Sequence, residues 1–491
     1  MARMILFDQD HESDRLEYVT QNSVVQVFAQ IAEFNWKEPY KVRQEYERRG
    51  SGFFINNKGY IITNAHIIDQ AKTMWVQIPA LGLEPLFAEI VGFCPSRDLA
   101  LLRINDQARS QIEKKLGSIP HLALGDSDVL ERNDKVIVLG YPLGQYRLKS
   151  ATGVLSGRES SRGRVFLQIT APINRGNSGG PLLDAQGNVV GVAIAAIIEA
   201  QNIGYAIPIN ELKLILEDLS ASSFVRRGYL GGRFNFASDE YAQFLKNPVP
   251  AGFYVNKVFK GGLLEKAGIC EGDMIYELNG YRIDAYGDVD VPWSNDKISI
   301  LDVISRFKIG EQVGLVAYRK GQRLDVTFMF ELTDPYPIRW IYPDYEAVEH
   351  ELFGGMVIME LEENHLPYLI QIDPFLIKYE KTENRVDPAL VITHIMPGSY
   401  AHQTRNLQPG FTIVEVNGIP VKTLQQLRNA LSESVKTGFI TLKTGDDIFV
   451  VFSLDKLAEL EPQLAKDFVY DISTTLQNII DQYKKKPPHK S

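Results

Sequence analysis

Apolar positions in the first part of the chain come in short Val-, Ile- and Phe-rich runs separated by turn residues. The runs at 23–31, 52–55, 60–63, 99–104, 135–141, 165–170 and 189–195 are strand-length and β-branched, which predicts strands. "NNKG" at 56–59 separates two of them and predicts a hairpin. Many short strands with glycine-rich turns predict a barrel or sandwich. At 208–220 the period changes. Leu212, Ile215, Leu216 and Leu219 fall on one helical face. Asn210 is placed to cap that helix, which closes a first domain spanning 1–222.

Beyond it the pattern repeats. "GICEGDMIYELNG" (268–280) matches "NLQPGFTIVEVNG" (406–418) without a gap, and "LGGRF" (230–234) matches "FGGMV" (353–357). Each longer copy reads as a glycine turn, a strand and an Asn-Gly turn that closes a hairpin. Two related α+β modules are therefore predicted, at 226–333 and 346–455, joined by the Pro/Tyr-rich linker 333–345. The second carries a long insert (361–387). A C-terminal extension (456–491) reads as helical and ends in a polar tail, "KKKPPHKS", expected to be disordered.

Composition narrows the function. A length of 491 residues suggests roughly three domains. A net charge of −9 argues against nucleic acid as the main partner. No run approaches the roughly 18 apolar residues of a membrane helix, so no membrane span is expected. The apolar patch in "MARMILFDQD" is too short for a secretory core. The compartment is left unknown: cytoplasmic or organellar as the chain is written, periplasmic only with a processed or engineered start. Cys94 and Cys270 lie far apart and form no disulfide framework.

The candidate chemistry centres on Ser178 in "INRGNSGGPL" (173–182). A serine hydroxyl becomes a nucleophile only with a base in reach, a group orienting that base, and donors for the oxyanion. His66 in "GYIITNAHIID" (59–69) follows a predicted strand, and Asp98 opens the apolar strand "LALLRI". Asp69 is too close in sequence to His66 to face it from another strand, and Asp106 lies in a polar loop beyond the strand. The order His66, Asp98, Ser178 is that of chymotrypsin-type triads. Gly176, Asn177 and Ser178 form the candidate oxyanion hole, with the Gly176 and Ser178 amides as its donors. Gly179 and Gly180 allow close strand packing. No metal or nucleotide motif is present, and no cofactor is expected.

The motifs "TNAHII", "SRDLALLRI", "GYPLG…SATGVLSG" and "INRGNSGGPLLDAQGNVVGVAIA…NIGYAIP" resemble the HtrA/Deg family of ATP-independent serine proteases. That resemblance implies a mainly β chain: a chymotrypsin-like double β-barrel followed by two PDZ domains. The first module is the clearer PDZ resemblance and the second more divergent. The inserts in both are similar to those of plant-type double-PDZ Deg proteases. By the same resemblance His66 is the general base, Asp98 its orienting acid and Ser178 the nucleophile. Ile173, Ala196 and Ile197 line an apolar first specificity pocket for small to medium aliphatic residues. Tyr229, Leu230, Gly231 and Gly232 receive a C-terminal peptide carboxylate. Segments 144–153, 171–177 and 196–204 are activation loops. The implied substrates are unfolded or misfolded proteins, and the implied assembly is a homo-oligomer, a trimer or a multiple of three. The second module is expected to serve assembly more than peptide capture. The competing reading is a proteolytically silent PDZ scaffold or holdase chaperone. An esterase reading fits poorly, because its usual nucleophile elbow sits in an α/β sheet.

Overall fold

The computed structural model describes residues 20–161, 164–194, 203–333 and 336–485. They form two compact units. The first holds the described residues up to Ile31 and those from Tyr46 to 333; the second holds Ala32–Glu45 and those from 336 onward.

In the first unit, six strands close one barrel in the order β1-β2-β3-β6-β5-β4. They are β1 (Val24–Glu33), β2 (Gln44–Phe54), β3 (Tyr60–Thr63), β4 (Ala71–Gln77), β5 (Leu86–Cys94) and β6 (Leu99–Ile104). A second barrel closes in the order β10-β11-β12-β9-β8-β7. Its strands are β7 (Lys135–Gly140), β8 (Lys149–Ser161), β9 (Arg164–Ile169), β10 (Pro181–Leu183), β11 (Val189–Ile194) and β12 (Gly204–Pro208). Closure leaves no unpaired edge. The 56–59 turn joins β2 to β3 as the sequence predicts, with Phe53 opposite Ile62.

Helices α1 (Ala65–Ile68), α2 (Asp106–Leu116) and α3 (Ile209–Ala221) flank these barrels. Leu212, Ile215 and Leu219 of α3 pack into a core that contains Phe53, Leu101, Phe166 and Leu183 from both barrels. Two expectations are corrected. Pro208, not Asn210, holds the N-cap position of α3; the Asn210 side chain instead donates to Asp126. Asp106 lies in the first turn of α2, capped by Asn105, rather than in a loop.

The first repeat completes this unit with a sheet in the order β13-β14-β15-β19-β20. These are β13 (Gly232–Phe236), β14 (Phe253–Val258), β15 (Met274–Leu278), β19 (Glu311–Arg319) and β20 (Gln322–Phe330), with β16 (Tyr281–Arg282) beside β15. A ribbon of β17 (Asp288–Val289) and β18 (Ile298–Ser299) leads into α4 (Ile300–Ser305).

The second unit contains the other copy, in the order β21-β22-β23-β24-β26-β27. Its strands are β21 (Glu351–Phe353), β22 (Met356–Glu360), β23 (Leu390–Ile395), β24 (Thr412–Val416), β25 (Ile419–Pro420, paired with β24), β26 (Phe439–Thr444) and β27 (Phe449–Ser453). Helices α5 (Leu424–Ser432), α6 (Leu454–Phe468) and α7 (Thr474–Lys484) complete it. The matched Asn-Gly turns have one geometry. Asn279 and Gly280 sit at φ 48° and 84°, Asn417 and Gly418 at 52° and 77°. Each asparagine accepts from the adjoining strand, Gly314 N in one copy and Thr441 N in the other, both at 2.8 Å.

The stretch read as a linker is not a bare connection: Ile338 is fully buried among Leu361, Leu366 and Leu376. Ala32–Glu45, which joins β1 to β2, is also part of this unit. Trp36 packs edge-on to His365 at 5.1 Å and is buried with Ile341 and Met359. Thr393 donates to Lys37 O at 2.9 Å, and Arg43 pairs with Asp344 at 2.6 Å. Among the described residues no helix is long and apolar enough to cross a membrane. Residues 486–491 of the tail lie outside the described residues.

Candidate active site

His66 sits in the single turn of α1, directly after β3, with its side chain half-exposed. Asp98 precedes β6 and is 7% exposed. The tight turn before β6 holds Asp98 at φ 55°, with its N–H donating to Pro95 O at 3.1 Å. A side chain rarely adopts that backbone unless its surroundings enforce it. Here they do. The Asp98 carboxylate accepts the main-chain N–H of His66 at 2.9 Å, and its two oxygens lie 3.0 and 2.9 Å from His66 Nδ1. Asn64 Nδ2 donates to Asp98 O at 3.0 Å. Nδ1 thus carries the proton toward the carboxylate, which leaves Nε2 as the acceptor side of the ring.

Ser178 is buried on the loop before β10. Its carbonyl accepts from Ser51 N at 2.8 Å, tying the loop to β2 of the other barrel. The Ser51 hydroxyl donates to Gly176 O at 2.6 Å and accepts from Tyr141 N at 3.0 Å. Thr63 in turn donates to Ser51 O at 2.7 Å. Nothing in the residue pattern singled out Ser51; its only signal was its place between Gly50 and Gly52.

The glycines of the loop are required by distance. A Cβ at Gly176, where φ is 99°, would lie 2.3 Å from Tyr141 O. At Gly179 it would lie 2.1 Å from Ser51 O, and at Gly180 2.2 Å from Leu139 O. The Arg175–Gly176 peptide is held by Leu143, whose N–H donates to Arg175 O at 2.6 Å. Because the peptide is trans, the Gly176 N–H points the opposite way, and among the described residues it meets no acceptor. Asn177, placed in the candidate hole between the Gly176 and Ser178 donors, offers no donor of its own from the main chain: its N–H is committed to Asn174 O at 3.0 Å.

Ile173 is half-buried beside Gly204, where a Cβ would come within 2.9 Å of it. Ala196 and Ile197 lie outside the described residues, as does most of the 196–204 loop. The C-terminal part of the 144–153 segment is regular strand, the start of β8.

Residues 50–192 match the model of the trypsin-like peptidase domain, and residues 375–444 match the PDZ domain. A probable periplasmic serine endoprotease, DegP-like, of Bartonella henselae is 30% identical over 396 residues, covering 79% of this chain and 70% of that protein. The chain belongs to the HtrA/DegP family of serine endoproteases. The periplasmic serine endoprotease DegP of Escherichia coli is 26% identical over 413 residues, covering 82% of this chain and 76% of its own. A solved structure titled HtrA-type protease AlgW with tripeptide aligns with a TM-score of 0.51 at 25% identity, over 65% of this chain and 97% of that one.

The PDZ match in this HtrA/DegP chain falls within the second module, although the sequence favours the first as the clearer resemblance. The two copies differ at their first strand. In the first, β13 is a sheet edge. A groove of about 260 Å³ runs beside it, lined by residues 227–232 with Phe234, Leu301 and Ile304. Tyr229, Leu230, Gly231 and Gly232 therefore lie together along one groove. In the second, β21 pairs with β22 through a two-residue turn, Gly354–Gly355. The equivalent edge is thus covered by the chain itself. Gly354 N donates to the Glu461 carboxylate of α6 at 2.9 Å, and Tyr470 donates to the other oxygen at 2.9 Å. Burial pushes the Glu461 carboxyl up to about 7. Arg428 of α5 pairs with Glu351 of β21 at 3.0 Å.

Proposed function

We propose that this serine endopeptidase works through His66, Asp98 and Ser178. Ser178 attacks the peptide carbonyl while His66 Nε2 takes its proton. His66 returns the proton to the leaving amine, and water resolves the acyl-enzyme. Asp98 fixes the tautomer and stabilises the imidazolium. The amides of Gly176 and Ser178 receive the oxyanion. The observation that carries this reading is the Asp98 carboxylate, which grips both the ring and the backbone of His66. Casein hydrolysis and fluorophosphonate labelling by the wild type and Ser178→Ala test it; equal activity in the two removes Ser178 as nucleophile.

The substrates proposed are unfolded or misfolded proteins. Both modules are read as PDZ-type, in a pattern nearest the plant-type double-PDZ Deg proteases. The open edge of β13 supports strand addition by a C-terminal peptide in the first module. The covered edge of β22 supports an assembly or anchoring role for the second. The oligomer proposed is a trimer or a multiple of three. The apolar side chain of Ile173, with Ala196 and Ile197, would favour cleavage after small to medium aliphatic residues; a profile dominated by basic residues would overturn that assignment. Relatives named as periplasmic support that compartment for this chain, and cell fractionation tests it.

A further inference from the structure

The residue before Asp98 is Arg97, an almost fully buried cation. Its guanidinium reaches two elements that lie outside its own barrel. It pairs with Glu211 of α3 and donates to Ser305 O at the last residue of α4. Its own carbonyl accepts from Arg164 of β9 at 2.8 Å. Helix α4 belongs to the first repeat, where Leu301 and Ile304 line the groove beside β13. A cation on the carbonyl end of a helix is favoured, and a buried arginine, which stays charged, must be paired and hydrogen-bonded to offset its desolvation. The Arg97 anchors therefore fix the main chain from which Asp98 departs, at a residue whose φ of 55° the turn alone would not favour.

We infer that Arg97 is a positioning residue for catalysis: it locks the Asp98 carboxylate onto His66 by tying the Asp98 turn to α3, β9 and the last turn of α4. This rests on the assignment of Asp98 as the orienting acid. Neighbouring contacts brace the same seam. Ser160 of β8 donates to Asp302 of α4, and Arg306 makes a two-pronged pair with Asp128 at 2.7 and 2.9 Å. Those contacts lie at a distance in sequence from the triad; Arg97 is bonded directly to it.

The test is kinetic, on the full chain. Arg97→Lys keeps the charge but replaces by one nitrogen the two that reach Glu211 and Ser305 O. Arg97→Met combined with Glu211→Gln removes the pair without stranding a buried charge. Supporting groups of this kind are worth roughly 10–100-fold in activity. The double variant is expected to lose that much kcat, and Arg97→Lys a smaller part of it, with KM for a short peptide unchanged and fluorophosphonate labelling of Ser178 slowed in parallel. In an Asp98→Asn background Arg97→Lys should have no further effect, because its action runs through Asp98. Wild-type kcat in both Arg97 variants, or a KM effect alone, overturns the inference. If Asp98→Asn itself retains full activity, the triad assignment fails instead, so the two failures are distinguishable.

Discussion

The N–H of Leu143 donates to the carbonyl of Arg175 at 2.6 Å, and this bond fixes the orientation of the Arg175–Gly176 peptide. Any side chain at Gly176 would push against Tyr141 O and break that setting. Gly176→Ala is expected to lower kcat by roughly 10²–10³, the scale of losing one oxyanion donor. KM should change little. A kcat within twofold of wild type would show that the loop tolerates another arrangement.

Ser51 joins the barrels at the Ser178 loop. Ser51→Ala leaves the buried Tyr141 N–H without its acceptor and frees Gly176 O. An unmade buried hydrogen bond costs roughly 1–3 kcal/mol. Thermal unfolding should show that loss in the first unit, together with a fall in kcat. An unchanged unfolding midpoint would argue that water replaces the hydroxyl.

Asp98→Asn keeps the shape of the side chain but favours the wrong imidazole tautomer. The expected fall in kcat is roughly 10⁴, by analogy with the same change in a trypsin-type triad. The steady-state rate over the accessible pH range, measured beside Ser178→Ala, checks it.

Glu461 gives a pH prediction for the second unit. Its folded pKa of about 7 lies above the ordinary carboxylate value because burial disfavours the charge. The stability it contributes is therefore complete below the unfolded value near 4.5 and is lost as pH rises through about 7. Relative to Glu461→Gln, the wild-type unit should weaken by roughly 2–4 kcal/mol between pH 4 and pH 8. Parallel pH profiles for the two proteins would remove Glu461 as the cause.

Trp36 is expected to matter to a unit far from it in sequence. Trp36→Ala should cost the second unit roughly 3–5 kcal/mol, read from its unfolding transition, while the β1–β2 pairing stays intact.

Much of the candidate site was legible because it draws on residue types that few other roles require together. Ser178 among glycines, His66 after a strand and Asp98 at a strand start stand out locally. The repeat was legible because Asn-Gly turns need positive φ and leave a visible mark. What stayed hidden depends on partners distant in the chain. Ser51 is an ordinary serine until its hydroxyl meets Gly176 and Tyr141. Arg97 carries no signal of its own until Glu211 and Ser305 are brought to it. The extended edge of β22 could not be told from the open edge of β13, because the covering strand β21 is three residues long and has no alternation to detect.

The segment Ala32–Glu45 has a consequence for biosynthesis. It leaves the ribosome long before Met359, His365 and Tyr470, the residues that bury Trp36 and Tyr40. Domains fold as they emerge, N-terminal ones first, but this second unit is assembled from an early piece and a late one. Its completion waits for the final helices to be translated, and until then a loop bearing Phe34, Trp36 and Tyr40 without their late partners stays open to chaperones and to other proteases.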